Sequence, residues 1–197
     1  HNDFWREEAM RKLPTLLSST QMLVCGEDLG MIPQCVPDVM ERLQILSLEI
    51  ERMPKEWGRE FGDTSRYPYL SVCTTSTHDM SGIRGWWGED FSRTQRYYNT
   101  VLHREGIPPE ECPPYICEEI ICRHLDSPSM WVILPLQDWL SICLDIRVPD
   151  PSVERINVPS NPRNYWCYRM HLTLETLIRQ DKLNAKIKEM IVRASRG

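Results

Sequence analysis

The sequence has 197 residues, with 23 Lys and Arg against 28 Asp and Glu and a net charge of -5. At 41% hydrophobic and 26% charged it has the make-up of a globular domain, which excludes long-range disorder, collagen and coiled coil; mean hydropathy is -0.43 and no apolar run approaches the ~20 residues that cross a bilayer, so no membrane partner is expected. Lys and Arg are scattered and form no phosphate-neutralising stripe, so no nucleic-acid partner is expected either, whereas a neutral ligand such as a sugar fits.

Asn2 and Asp3 offer an N-cap, and residues 4 to 18 read as a helix whose end Pro14 disturbs. Residues 21–26 form a short apolar run bounded by turn signals, the pattern of a parallel strand buried on both faces. It ends at Glu27-Asp28-Leu29-Gly30. Pro33 and Pro37 punctuate the next stretch, and Pro37 suits the first turn of a short helix carrying Val39, Met40 and Leu43. Residues 45–50 are a second strand. A polar loop, 54–67, leads to a third at 69–75, which ends at Ser76-Thr77-His78-Asp79. Helices are expected at about 89–104, closed by Gly106, and at about 115–125. A fourth strand, 130–134, ends at Pro135-Leu136-Gln137-Asp138. A Pro-rich connector covers 148–159. In the helical tail Leu183, Ile187, Met190 and Ile191 share one face at i, i+4, i+7 and i+8.

The strands start near 21, 44, 69 and 130, so the first two spacings suit a βα unit and the third implies an inserted helical lobe at 80–129. A (β/α)8 barrel uses roughly 30 residues per unit over about 250 residues. Four units would fill this chain and make about half a barrel; a small doubly wound sheet is the competing fold. None of the eight Cys forms a CxxC pair. Cys112, Cys117 and Cys122 are spaced by five, which suits neither zinc nor a redox pair, and Cys25, Cys73 and Cys143 lie in apolar runs. Reduced thiols in a cytoplasmic protein are the expectation.

Two strands end in carboxylates: Glu27 and Asp28 after the first, His78 and Asp79 after the third. The carboxyl ends of parallel strands carry the active sites of α/β folds. Carboxyl groups brought there from different strands suit glycoside chemistry, in which one protonates the leaving oxygen and another stabilises the positive charge on the sugar ring. A neighbouring His can hydrogen-bond sugar hydroxyls. The alternatives are structural: Asp28 capping the next helix, Asp79 fixing a turn, Glu49 in an ion pair. Glu27, Asp28, His78 and Asp79 lack a metal-binding spacing such as HExxH, so no metal is expected.

The strings are more specific than the spacing. Cys25-Gly26-Glu27-Asp28-Leu29-Gly30 with Thr75-Ser76-Thr77-His78-Asp79 resembles the 4-α-glucanotransferases (amylomaltase, or disproportionating enzyme) of glycoside hydrolase family 77. Tyr67-Pro68-Tyr69 and Trp86-Trp87 look like the branch holding the plant cytosolic and Bacteroides-type enzymes. Pro135-Leu136-Gln137-Asp138, Arg155-Ile156-Asn157-Val158-Pro159 and Asn164-Tyr165-Trp166 with Arg169 are similar to further family segments. The resemblance implies an α/β fold: the C-terminal half (about strands 5–8) of a TIM barrel, with a helical insertion after strand 7 and terminal helices at 172–197.

It also implies roles. Glu27 matches the general acid/base, and Asp79 the carboxylate that binds sugar hydroxyls and stabilises the transition state. His78 matches the sugar-contacting His. Asp28 is a candidate substrate contact or loop-orienting group, and Trp86, Trp87 and Trp166 are candidates for stacking on sugar faces. To start protonated near neutral pH, Glu27 is expected to be buried near other carboxylates. Met80 stands where ordinary bacterial amylomaltases have Asn, which removes a polar contact there.

The family's nucleophile is an Asp in an R-x-D string one strand before Glu27. Nothing of that kind lies upstream of Glu27, and the chain has no initiator Met. The expectation is therefore a piece that lacks the N-terminal half of the barrel and any starch-binding modules, and that is inactive alone. The implied activity is retaining transfer of an α-1,4-glucan segment to a 4-hydroxyl, without a cofactor. The implied partners are maltose, malto-oligosaccharides and starch or glycogen-type glucans. An α-glucan hydrolase and a non-catalytic sugar-binding fragment are the other readings.

Overall fold

The apolar runs gather into two units, which the computed structural model describes over residues 1–196. One unit is His1–Thr74 with Ser127–Ile133; the other is Thr75–Asp126 with the chain from Leu134 onward.

The first unit opens with α1 (Asn2–Ser18). The helix starts earlier than the sequence suggests. His1 is its N-cap, its carbonyl accepting the Trp5 N–H at 3.0 Å, and neither Asn2 nor Asp3 caps it. Asp3 sits in the first turn, where a negative charge favours the helix dipole. Pro14 lies inside and removes one N–H donor without ending the helix. In α2 (Val36–Arg42), Pro37 occupies the first turn and Val39 and Met40 are buried, as the pattern requires.

The sheet has three short parallel strands: β1 (Ser47–Ile50), β2 (Ser71–Thr74) and β3 (Trp131–Val132), in the order β1-β2-β3. Ser47 pairs with Ser71, and Cys73 with Val132. The central strand, β2, is buried throughout. The expected first strand is corrected. Residues 21–26 make one parallel bridge, Cys25 to Leu46, with Gly26 N–H donating to Leu46 O at 2.8 Å and Leu46 N–H to Val24 O at 3.0 Å. Met22, Leu23 and Cys25 are exposed rather than buried. An apolar run is covered on both faces only where neighbours flank it, and this one lies along the edge next to β1. The expected fourth strand likewise shrinks to two residues, with Trp131 exposed.

The second unit is helical: α3 (Ile83–Glu89), α4 (Phe91–Thr100), α5 (Pro114–Leu125), α6 (Leu136–Leu140), α7 (Leu174–Ile178) and α8 (Asp181–Arg193). The helix expected at 89–104 is the shorter α4, and α3 before it was not expected. Asp90, in extended conformation, ends α3, and its side chain accepts the Arg93 N–H at 3.1 Å to cap α4. Trp86 and Trp87 of α3 pack edge-on against Tyr97 of α4, and Trp87 also meets Tyr98. Leu183 and Met190 of α8 are buried, and α8 packs on α5. Among the described residues no helix is long and apolar enough to cross a membrane.

A 3-10 turn, Pro151–Glu154, packs on α3. Arg84 donates to Val148 O at 2.7 Å and Pro149 O at 2.9 Å, and lies 3.5 Å from Glu154. Burial lifts the Glu154 carboxyl from 4.5 to about 7, with Arg84 opposing and Asp138 adding to the rise. A carboxyl raised on folding holds its proton better in the folded state. Its stability contribution is therefore complete below pH 4.5 and is lost as pH climbs through about 7. Thermal melts across this range should show wild type losing ground to Glu154→Gln between these two values and a constant difference outside them. Parallel pH profiles for the two proteins would contradict this.

Candidate functional site

In the first unit the turn after residue 26 carries Glu27 and Asp28. Glu27 is exposed, and its Oε1 accepts the Leu29 N–H at 3.2 Å. The expected burial of Glu27 is not found within this chain, because the turn leaves the sheet at its edge. Gly30 closes the turn at φ +77, a left-handed conformation that favours glycine.

Asp28 faces the other way and is only 5% exposed. Its Oδ1 accepts the Leu48 N–H of β1 at 2.9 Å, and its Oδ2 accepts from Lys55 Nζ at 2.7 Å. Lys55 also reaches Glu49 Oε1 at 2.8 Å, so one ammonium is shared by two carboxyl groups. A buried carboxyl group must find such partners, and both oxygens of Asp28 are taken. This corrects Asp28 as a substrate contact: it ties the Glu27 turn to β1 and to Lys55.

In the second unit the run 75–79 is held from below. Asp138 of α6 is 2% exposed. Its Oδ2 accepts from Thr75 Oγ1 at 2.5 Å and Ser76 Oγ at 3.2 Å, and its Oδ1 accepts the Ile83 N–H of α3 at 2.8 Å. A Cβ on Gly82 would lie 2.7 Å from Asp138 Oδ1, so the backbone approaches this carboxyl more closely than a side chain permits.

The far end of the run is open. His78 and Asp79 are each half-exposed, with His78 Nε2 3.4 Å from Asp79 Oδ1. Asp79 Oδ1 accepts from Asn157 Nδ2 at 2.6 Å, and Asn157 Oδ1 accepts from Asn164 Nδ2 at 2.9 Å. Arg155 donates to Asp79 O at 3.1 Å, and the Asn157 N–H to His78 O at 3.1 Å. Arg155 also bonds Ser81, which in turn bonds Glu89. The Trp166 ring lies 4.6 Å from the His78 ring, centre to centre, and is 61% exposed. A carboxyl, an imidazole and an open indole face are thus presented together, as hydroxyl binding and stacking on a flat ring require. Beside them, a cavity of about 560 Å³ is lined by Ser81, Gly85, Glu89, Asp150, Arg155 and Val158.

Two of the three stacking candidates are corrected. Trp86 and Trp87 are buried, and the Trp87 indole N–H donates to Pro109 O at 2.9 Å. Their faces are spent on Tyr97 and Tyr98. Asp138, Asn157 and Asn164 were missed as site residues, although all three stand in the family-like strings; only the fold shows which group each one holds. Among the described residues no group of three or more His, Cys, Asp or Glu is placed to hold a metal ion.

Comparison with known proteins agrees with the strings. The chain is 44% identical over 195 residues to the 4-alpha-glucanotransferase DPE2 of Oryza sativa subsp. japonica, covering 99% of this chain and 21% of that protein. It is 30% identical over 181 residues to the 4-alpha-glucanotransferase of Chlamydia muridarum, covering 90% of this chain and 34% of that one. The chain thus spans about a fifth of the first of these relatives and about a third of the second. The amylomaltase of Streptococcus agalactiae, solved in complex with acarbose, superposes with a TM-score of 0.71 at 20% identity, covering 96% of this chain and 35% of its own; it shares the fold. Residues 1–174 match the glycoside hydrolase 77 family, described as 4-alpha-glucanotransferase, and the chain belongs to that family.

Proposed function

We propose that the natural protein carrying this chain is a 4-α-glucanotransferase that moves a segment of an α-1,4-glucan to the 4-hydroxyl of glucose or another α-1,4-glucan. The observation that carries this reading is the exposed group of His78, Asp79 and Trp166, set in strings of the family, with Asp79 fixed by Asn157. Asp79 binds sugar hydroxyls and stabilises the positive charge of the transition state. His78 contacts the same sugar, and Trp166 offers it a stacking face. Glu27 protonates the leaving glycosidic oxygen and then takes the proton of the acceptor hydroxyl. The strands belong to a (β/α)8 barrel, a reading supported by the superposition on amylomaltase. The substrates are maltose, malto-oligosaccharides and starch or glycogen-type glucans, and no cofactor is needed. The eight free cysteines fit a cytoplasmic location.

A retaining double displacement also needs an attacking carboxylate, and no residue of this chain matches the family's nucleophile. The 197 residues by themselves are therefore expected to give no turnover. The natural protein, incubated with maltotriose, should give glucose and a ladder of longer glucans. Products no longer than the substrate would reject transfer in favour of hydrolysis. Measurable transfer by the 197-residue chain would reject the assignment of the nucleophile to another segment.

A further inference from the structure

The run 75–79 has to hold two half-exposed side chains, His78 and Asp79, in one orientation. Solvent-facing groups are poorly fixed by their own contacts, so their aim depends on what anchors the backbone that carries them. Asn157 and Arg155 hold the carbonyls of His78 and Asp79, and Asp138 anchors the two flanks of the run. One carboxyl group, almost wholly buried, takes the Thr75 and Ser76 hydroxyls on Oδ2 and the Ile83 N–H on Oδ1. These partners bracket His78 and Asp79 on both sides, at 75–76 and at 83. The gap at Gly82 is closed to any side chain by the same carboxyl. The bracket is thus tied at both ends to one point on α6, which is itself fixed by the Ser141 hydroxyl donating to Asp138 O at 2.6 Å.

We propose that Asp138 is a positioning residue for the glucan-contacting pair His78 and Asp79, acting through the Thr75 and Ser76 hydroxyls and the Ile83 amide rather than by touching substrate. The proposal rests on the functional reading above. Its chemistry sets its own control. The two hydroxyls can turn to accept as well as donate. In Asp138→Asn the amide oxygen keeps the Ile83 N–H, and the amide nitrogen donates to the hydroxyls. Asp138→Ala leaves the Ile83 N–H and both hydroxyls without this partner.

The test compares Asp138→Ala, Asp138→Asn and Thr75→Val in the natural protein carrying this chain. The readouts are kcat per folded molecule, KM for maltotriose and the imidazole resonances of His78. The signals of that ring are identified by their loss in a His78→Gln variant. Misplacement of a reacting group by about 1 Å costs on the order of a hundredfold. Asp138→Ala should lose about that much in kcat, with KM changed far less, and the His78 resonances should shift and broaden. Asp138→Asn should recover most of both, and Thr75→Val should fall between. If Asp138→Ala does not fold, Thr75→Val and Ser76→Ala decide, since each removes one of the bonds to Asp138 and leaves that carboxyl its other two partners. An unmoved His78 spectrum in these variants, or a kcat per folded molecule within threefold of wild type, would overturn the proposal. Absence of transfer by wild type would reject the functional reading instead, and the His78 resonances would still judge Asp138.

Discussion

Replacing Glu27 with Gln in the natural protein should lower glucan transfer by about 10²- to 10⁴-fold, the range ascribed to a positioned general acid/base. The fold should barely notice. Glu27 is exposed, and its one bond within the turn, from the Leu29 N–H, can be accepted equally by a Gln oxygen. Within this chain a surface change of this kind stays within about 0.5 kcal/mol of stability. The measurement is the rate of glucose release from maltotriose, alongside a thermal melt. A variant with full activity would remove Glu27 from the chemistry. A variant that melts many degrees lower would instead show a structural duty. Asp28 offers the contrast one residue on: its carboxyl is buried between Leu48 and Lys55, so damage there should appear in the melt.

The Trp residues separate stability from binding in the same way. Trp87→Ala should destabilise the protein by about 3–5 kcal/mol, the cost of emptying a buried aromatic site. At 2% exposure the indole fills space against Tyr97 and Tyr98, and its N–H has a part-buried partner in Pro109 O. A fall of several degrees in the melting midpoint follows. Trp166→Ala should leave the midpoint unchanged and weaken glucan binding several-fold, read as a rise in KM. If Trp87→Ala melted like wild type, the aromatic cluster would not be the core of the second unit. If Trp166→Ala kept its KM, stacking at that face would have to be abandoned.

The contrast shows what the chain order conveys and what it withholds. The face of α8 was legible because local spacing alone decides which side chains of a helix share a side. The turns at Glu27 and Asp79 were legible because chemistry-bearing residues stood together in family-like strings. α3 was hidden by Gly85 and Gly88, which lower its helix propensity; it forms because Ile83, Trp86 and Trp87 bury one side of it. Residues 21–26 looked like a buried strand because an apolar run does not reveal how many neighbours it will have. The contacts that hold the site were out of reach for a similar reason. Asn157 meets Asp79 across 78 positions, and Asp138 meets Ser76 across 62. No period in the sequence links such pairs. Trp86, Trp87 and Trp166 read alike on paper, and only packing turned two of them inward.

The closeness of Gly82 to Asp138 also bears on how substitutions can accumulate. Any side chain at 82 strikes the carboxyl at 138, so gaining Ala at 82 requires that carboxyl to shift or shorten. Either order of substitution passes through a variant in which the His78–Asp79 turn loses part of its anchor. The two positions should therefore drift as a pair or not at all, and grafting either one alone from a distant relative should fail where grafting both succeeds.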